Sequence, residues 1–431
     1  MKDKKQNKRI NGGHRLLFFC ILCLFGLYVA VSYAEEQPQR EQSKTKVILL
    51  HTDNLTYDQY RHPGAQILTG NVQFQHDGVL MYCDSACFYE ATNSFDAFGH
   101  VKMVQGDTLD LVGDMLLYNG LDQLARVRHN VVLTHRESKL YTDSLDYDRL
   151  YELGYFFEGG KLVDKDNVLT SDWGQYSPPT RQAVFNYNVK LENPKFTLIS
   201  DTLNYNTLTS MAEIVGPSNI DSGDNHIYSE SGFYNTQTEE AILLDRSIVT
   251  NKGRKMVGDS LYYDSKSGVG EGFRNVVYTD EVNKNMLTGN YCYYNDSTGY
   301  SMATDSAVAI DYSQRDTMYM HADTFKVYTF YMDTDSMYRE VRGYHKVRSY
   351  RMDVQSVCDS LVFDSRDTCI TMYRDPIVWN GGQQVLGEVI KVYLNDSTID
   401  RIHVIDQTLS VDRIDSVHYN QVAGKEMTSY F

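Results

Sequence analysis

An acidic residue returns every 29 positions through the middle of this chain, and that period restricts the fold more than any other feature. It falls at Asp114, Asp143, Asp172, Asp201, Glu230 and Asp259. The surroundings repeat with it, as in Leu140-Tyr-Thr-Asp143-Ser-Leu145-Asp-Tyr147, Leu198-Ile-Ser-Asp201-Thr-Leu203-Asn-Tyr205 and Met256-Val-Gly-Asp259-Ser-Leu261-Tyr-Tyr263. Looser copies continue upstream at Asp53 and Asp84 and downstream at Asn290, Asp323, Asp359 and Glu388, at spacings of 29 to 36. A fixed period of this size marks one small unit that buries its apolar face only by stacking on its neighbours.

Each unit reads as two strands and two turns. Asp-Arg, Asn-Thr and Asp-Ser-Lys-Ser-Gly follow the aromatic position directly, and these are turn-forming sequences. The second half of the unit carries a small residue and then a polar-Val step, as in Ala125 to Asn130-Val131, Ala183 to Asn188-Val189 and Gly270 to Asn275-Val276. No helical periodicity is evident after residue 46. Within the first strand, the apolar residue three before the acid and the Leu two after it stand on opposite parities. Both sets reach one core only if the strand shifts phase near the acid, by a bulge or a sharp bend. The small residues there (Thr142, Ser200, Gly258) permit close backbone approach, so the acid marks a corner between two walls.

Composition agrees. The chain has 34 Tyr against 17 Phe and 2 Trp, and only seven Pro, a balance suited to long paired strands with partly wet faces. Residues 1–34 form a separate object: six basic side chains by residue 15, an apolar run from Leu16 to Ala34, and small residues at Ser32 and Ala34. This is a secretory signal, or an anchor that stays in the inner membrane if it is not cut. Residues 35–46 read as a linker. Without residues 1–34 the chain holds 35 basic and 56 acidic side chains, a net −21, which repels nucleic acid. Five cysteines remain, with no CxxC pair for zinc. They are buried thiols or include one long-range disulfide.

The alternation of L-x-[GS]-D-x-L-x-Y with A-x-x-x-x-x-N-V, after an export segment, resembles the OstA-like family. That group includes LptA, the periplasmic part of LptC and the N-terminal domain of LptD, which move lipopolysaccharide to the outer membrane. The likeness spans residues 47–312 well, and 313–431 reads as a divergent continuation, cut short at its end. Its Tyr-rich, Asp-Ser/Thr-rich style is similar to long members from Bacteroidetes-type bacteria. The resemblance implies an all-β, open antiparallel β-jelly-roll whose interior shelters acyl chains. It also implies a periplasmic location, lipopolysaccharide or a related glycolipid as ligand, and end-to-end stacking with other β-jelly-roll transport components.

No chemistry competes strongly with that reading. H-E-x-x-H and G-x-S-x-G are absent, Gly268-Val-Gly-Glu-Gly272 lacks a strand-to-helix context, and no carboxylate pair stands out. No enzyme activity, cofactor or metal is expected. One acid per layer is too sparse for a calcium ladder, so Asp114, Asp143, Asp172, Asp201, Glu230 and Asp259 are structural corner residues that satisfy nearby turn amides. The expected groove lining is Val131, Leu140, Leu145, Val189, Leu198, Leu203, Ile227, Met256, Leu261 and Val276. In a fully closed unit the same side chains are simply packed core. The acidic surface leaves phosphorylated headgroups outside. Two other readings stay open: an envelope scaffold that binds proteins by strand addition, and a β-helix acting on polysaccharide.

Overall fold

The computed structural model describes residues 45–430 except 59, 314, 333, 396 and 397. The signal or anchor at 1–34, the linker up to residue 44 and Phe431 lie outside the described residues. Strands dominate: 32 of them, joined in one antiparallel sheet, with a single 3₁₀ turn at Glu90–Thr92 as the helical exception among those residues. This is the repeat-built open β-jelly-roll, and each 29-residue unit is a hairpin of two long strands. The strands Leu124–His135 and Ser138–Asp148 form one such hairpin, paired from Leu124↔Asp148 to His135↔Ser138 with one shift of register between Arg128 and Val131.

Every long strand crosses two walls and turns a corner midway. In the acid-bearing strand Val79–Tyr89, burial alternates through Val79, Met81 and Cys83, then skips a phase and resumes at Ala86 and Phe88. The phase shift at Asp84 is the one expected from the sequence. Its partner supplies the other half of the device. Gly70 and Asn71 together oppose Asp84, so two residues face one across a β-bulge. Both of these residues take left-handed backbone, with φ of 83° and 45°. The pattern recurs at His129-Asn130, Tyr187-Asn188 and Arg274-Asn275. The Asn of the repeated Asn-Val step is therefore the residue best able to hold αL without glycine.

Two side chains finish the corner. The hydroxyl just before the acid donates to the carbonyl just after it: Ser171 to Trp173, Ser200 to Thr202 and Ser229 to Ser231, each at 2.8 Å. These bonds satisfy carbonyls where the bend interrupts the ladder. The acid itself accepts chiefly from the bulged dipeptide rather than from turn amides. Asp114 takes Asn130 at 2.6 Å, Asp172 takes Asn188 at 2.7 Å, Asp259 takes Asn275 at 2.8 Å, and Asp143 meets His129 at 3.1 Å. Two copies differ: Glu230 accepts from Tyr228 on its own strand, and Asp201 has no side-chain hydrogen bond among the described residues.

At some corners the strand breaks in two, as on either side of Asp172, between Asn167–Ser171 and Trp173–Ser177. Inward side chains from both walls then pack into one interior. Leu68, Phe74, Phe95, Leu116, Tyr147 and Tyr205 are all fully enclosed there. Each such burial stabilises the fold by about 1.5–3 kcal/mol.

Gly99 and Gly106 separate two effects at left-handed positions. Gly106→Ala (φ 61°, no atom near the new Cβ) bears backbone strain alone and is expected to lose about 1 kcal/mol. Gly99→Ala (φ 74°) also places its Cβ 2.4 Å from the Asp84 carboxylate that holds His100 at 2.7 Å. Its loss in urea unfolding is expected to reach about 2 kcal/mol or more. Equal losses would show that the corner carboxylate contributes nothing.

Candidate functional site

The interior between the walls is the candidate site, and it changes character along the chain. Buried apolar residues fall into two clusters, one from Val47 to Leu261 and one from Val276 to Val404, with Met256 packed against both. In the first, Val131, Leu140, Leu145, Val189, Leu198 and Leu203 are at most 1% exposed, so in this state they are close-packed core. Leu261 and Val276 are also buried, while Ile227 and Met256 are half-buried against the first cluster. All ten side chains point into the interior. Farther along, the inward residues Tyr263, Tyr278, Leu287, Tyr294, Met320 and Val341 are only half-buried. Small residues (Gly272, Gly289, Ala303, Ala307, Ala322) occupy many of the buried inward positions among them, beside the larger Val276, Phe325 and Val347. Sequence reasoning placed the lining by repeat phase, which is the same in both stretches. The difference lies in residue size and in what closes the far side.

Opposite the corner, the free margins of the two walls meet along a seam. In the first stretch polar side chains bolt it shut. Tyr118 on one margin meets His76 Nδ1 on the other at 2.7 Å and also accepts from the buried Arg149. Arginine only donates, so the Tyr118 hydroxyl proton goes to Nδ1, and the His76 Nε2–H is left for Thr45 at 2.9 Å. The next bolts are His135 Nδ1 with Tyr176 at 2.8 Å and Tyr205 donating to Asp164 at 2.8 Å. Asn167 then reaches both Tyr205 and Thr236 at 2.9 Å, and Lys195 pairs with Glu239. From residue 240 to residue 350 no side-chain hydrogen bond or ion pair crosses the seam among the described residues. Tyr118, Tyr176 and Tyr205 thus act at wall ends, with the phenol body in the core and the hydroxyl in the seam, whereas the buried Tyr147 hydroxyl has no hydrogen-bond partner among the described residues. Their periodicity was legible in the sequence, but their His and Asp partners lie about 40 residues away and carry no local signal.

Burial pushes the His76 imidazole below its ordinary value, and Arg149 adds to this while Asp77 opposes it. His135 is lowered in the same way, by burial and then by Arg136 and Arg181. The five cysteines Cys83, Cys87, Cys292, Cys358 and Cys369 are all free, and burial pushes the Cys83 thiol up to about 12. They are inert filler by that measure. No cluster of His, Cys, Asp and Glu with the geometry to hold a metal ion occurs among the described residues.

A histidine held neutral in the fold binds protons more readily when unfolded. Stability is therefore full above the ordinary imidazole value near 6.5 and is lost as pH falls through it towards the lower folded value. Urea midpoints are expected to fall between pH 7 and 5, and the slope is expected to flatten in a His76→Gln, His135→Gln double variant. An unchanged slope would remove the seam histidines from the pH response.

The model of the family described as OstA-like protein matches residues 44–201 and 195–259. That stretch coincides with the first buried cluster, whose last member is Leu261. No curated protein matches the chain. The corner repeat, the two-walled interior and this match over half of the sequence agree, and the chain belongs to the OstA-like family.

Proposed function

We propose that this protein is a non-enzymatic component of the Gram-negative periplasm that carries or bridges lipopolysaccharide, or a related glycolipid, between the inner and outer membranes. Membership of the OstA-like family supports the class of cargo and the compartment. The observation that carries the reading is the interior itself: an apolar trough bolted along one stretch and unbolted along the next. Acyl chains enter between the margins over residues 240–350, where aromatic and aliphatic side chains are half-buried and small residues leave room. Each methylene sheltered there contributes about 0.8 kcal/mol, so a partly inserted tail binds usefully.

Passage along the trough then requires the bolted stretch to part. Each polar closure contributes about 1 kcal/mol net, and the larger cost of parting is exposure of the packed side chains behind it. An acyl chain that takes the place of the opposite wall offsets that exposure, so the seam can open without unfolding the corner. The positions Val131, Leu140, Leu145, Val189, Leu198, Leu203, Ile227, Met256, Leu261 and Val276 then form the lining of the opened groove. Other β-jelly-roll components of the same pathway are the proposed end-to-end partners. Residues 1–34 take the chain across the inner membrane or hold it there.

A photo-reactive residue placed at 287 or 320 is expected to form lipopolysaccharide adducts in cells. The same probe at 203 is expected to do so only weakly, with adducts rising in a Tyr118→Phe, Tyr176→Phe variant whose bolts are removed. At Ile242 or Phe273, which are exposed apolar residues on the outer face, no adduct is expected. Protein adducts without lipid at every inward position would replace the carrier with an assembly scaffold.

A further inference from the structure

One cavity lies on the seam, and its chemistry is opposite to that of the chain as a whole. It measures about 290 Å³ and straddles both margins between the turns that carry Arg136 and Lys165 on one side and Arg181 and Thr207 on the other. Three cations thus converge on one point of an acidic protein. Arg136 and Arg181 have no carboxylate partner among the described residues, and Lys165 donates to the Ser210 hydroxyl at 3.0 Å. Two carboxylates also line the cavity. Glu137 is exposed, and the buried Asp164 already accepts from Ser138 and Tyr205, each at 2.8 Å. The local balance is therefore positive, with an exposed Arg136 and a half-buried Arg181 both lining the cavity.

The position matters as much as the charge. The cavity includes His135, which is one half of the His135–Tyr176 bolt. Behind that bolt lie the inward residues Leu133, Leu140 and Leu162 of the apolar interior, each about 1% exposed. Both arginines act electrostatically on His135 and Tyr176, so they stand close over the same bolt. An anion seated there sits directly above the trough, and guanidinium groups suit phosphate by pairing two N–H donors with two oxygens.

We propose that this seam cavity binds the phosphate monoester of an amphiphile, with Arg136, Lys165 and Arg181 holding the phosphate while the acyl chains occupy the trough beneath. The proposal rests on the carrier reading and deepens it, because it gives the headgroup a seat on the protein that overall charge argues against. The bolt below the cavity would part where the chains pass.

The test uses the exported full chain and three probes: inorganic phosphate, and phosphatidic acid and diacylglycerol of identical chains, each lipid in the same nonionic micelle. Wild type is expected to prefer phosphatidic acid over diacylglycerol by about tenfold or more, as charge-assisted hydrogen bonds to phosphate require. The variant Arg136→Gln, Lys165→Gln, Arg181→Gln alters surface turns, and circular dichroism verifies its fold. It is expected to lose the preference while keeping its diacylglycerol affinity. Retention of the preference in that variant overturns the proposal. Equal binding of both lipids by wild type also overturns it and leaves the carrier reading standing. Wild type that binds neither lipid, yet binds inorganic phosphate that the variant does not bind, retains the cavity as a site for free phosphate and sinks the carrier.

Discussion

The structure depends on one backbone event, repeated along its length: a strand turns a corner by letting two left-handed residues oppose one acid. Without it, the apolar residues on either side of Asp143 would lie on opposite faces of a flat sheet, and no common interior would exist. With it, both halves of each strand aim inward, and a single sheet acquires two walls. The acid, the hydroxyl before it and the Asn or His across from it hold the bend from outside. The apolar side chains can therefore be spent on the interior alone.

That division of labour explains why the interior is open to change. The corner is built into the covalent path of every strand and cannot separate without unfolding the unit. The seam joins strand ends that are distant in sequence and meet only through side chains such as His76, Tyr118 and Arg149. A trough hinged permanently on one side and closed by a few polar bonds on the other is a sensible shape for a long amphiphile. Its tails need shelter at every layer, and its headgroup must stay outside the walls throughout.

Charge follows the same logic. A net acidic surface offers little to phosphorylated glycolipids in general. A local cluster on the seam, where a headgroup would emerge, is a different matter, because short-range pairing with guanidinium groups outweighs the screened average field. The three cations come from three separate turns, Arg136, Lys165 and Arg181, so neither composition nor motif reveals them as one site.

The amino-acid sequence determined the unit and its corner. The 29-residue period, the parity break at the acid and the family likeness are properties of neighbouring residues, and neighbours along a strand keep their alternation in the folded state. It also placed every proposed lining residue on the inward face, from Val131 to Val276. Tertiary structure decided which of those faces are sealed. Closure depends on His76 meeting Tyr118 and on Asp164 meeting Tyr205, pairings with no equivalent among the described residues of 240–350. Such contacts join residues about 40 positions apart across two walls, and their geometry follows from how far each strand extends beyond its corner, which no local pattern encodes.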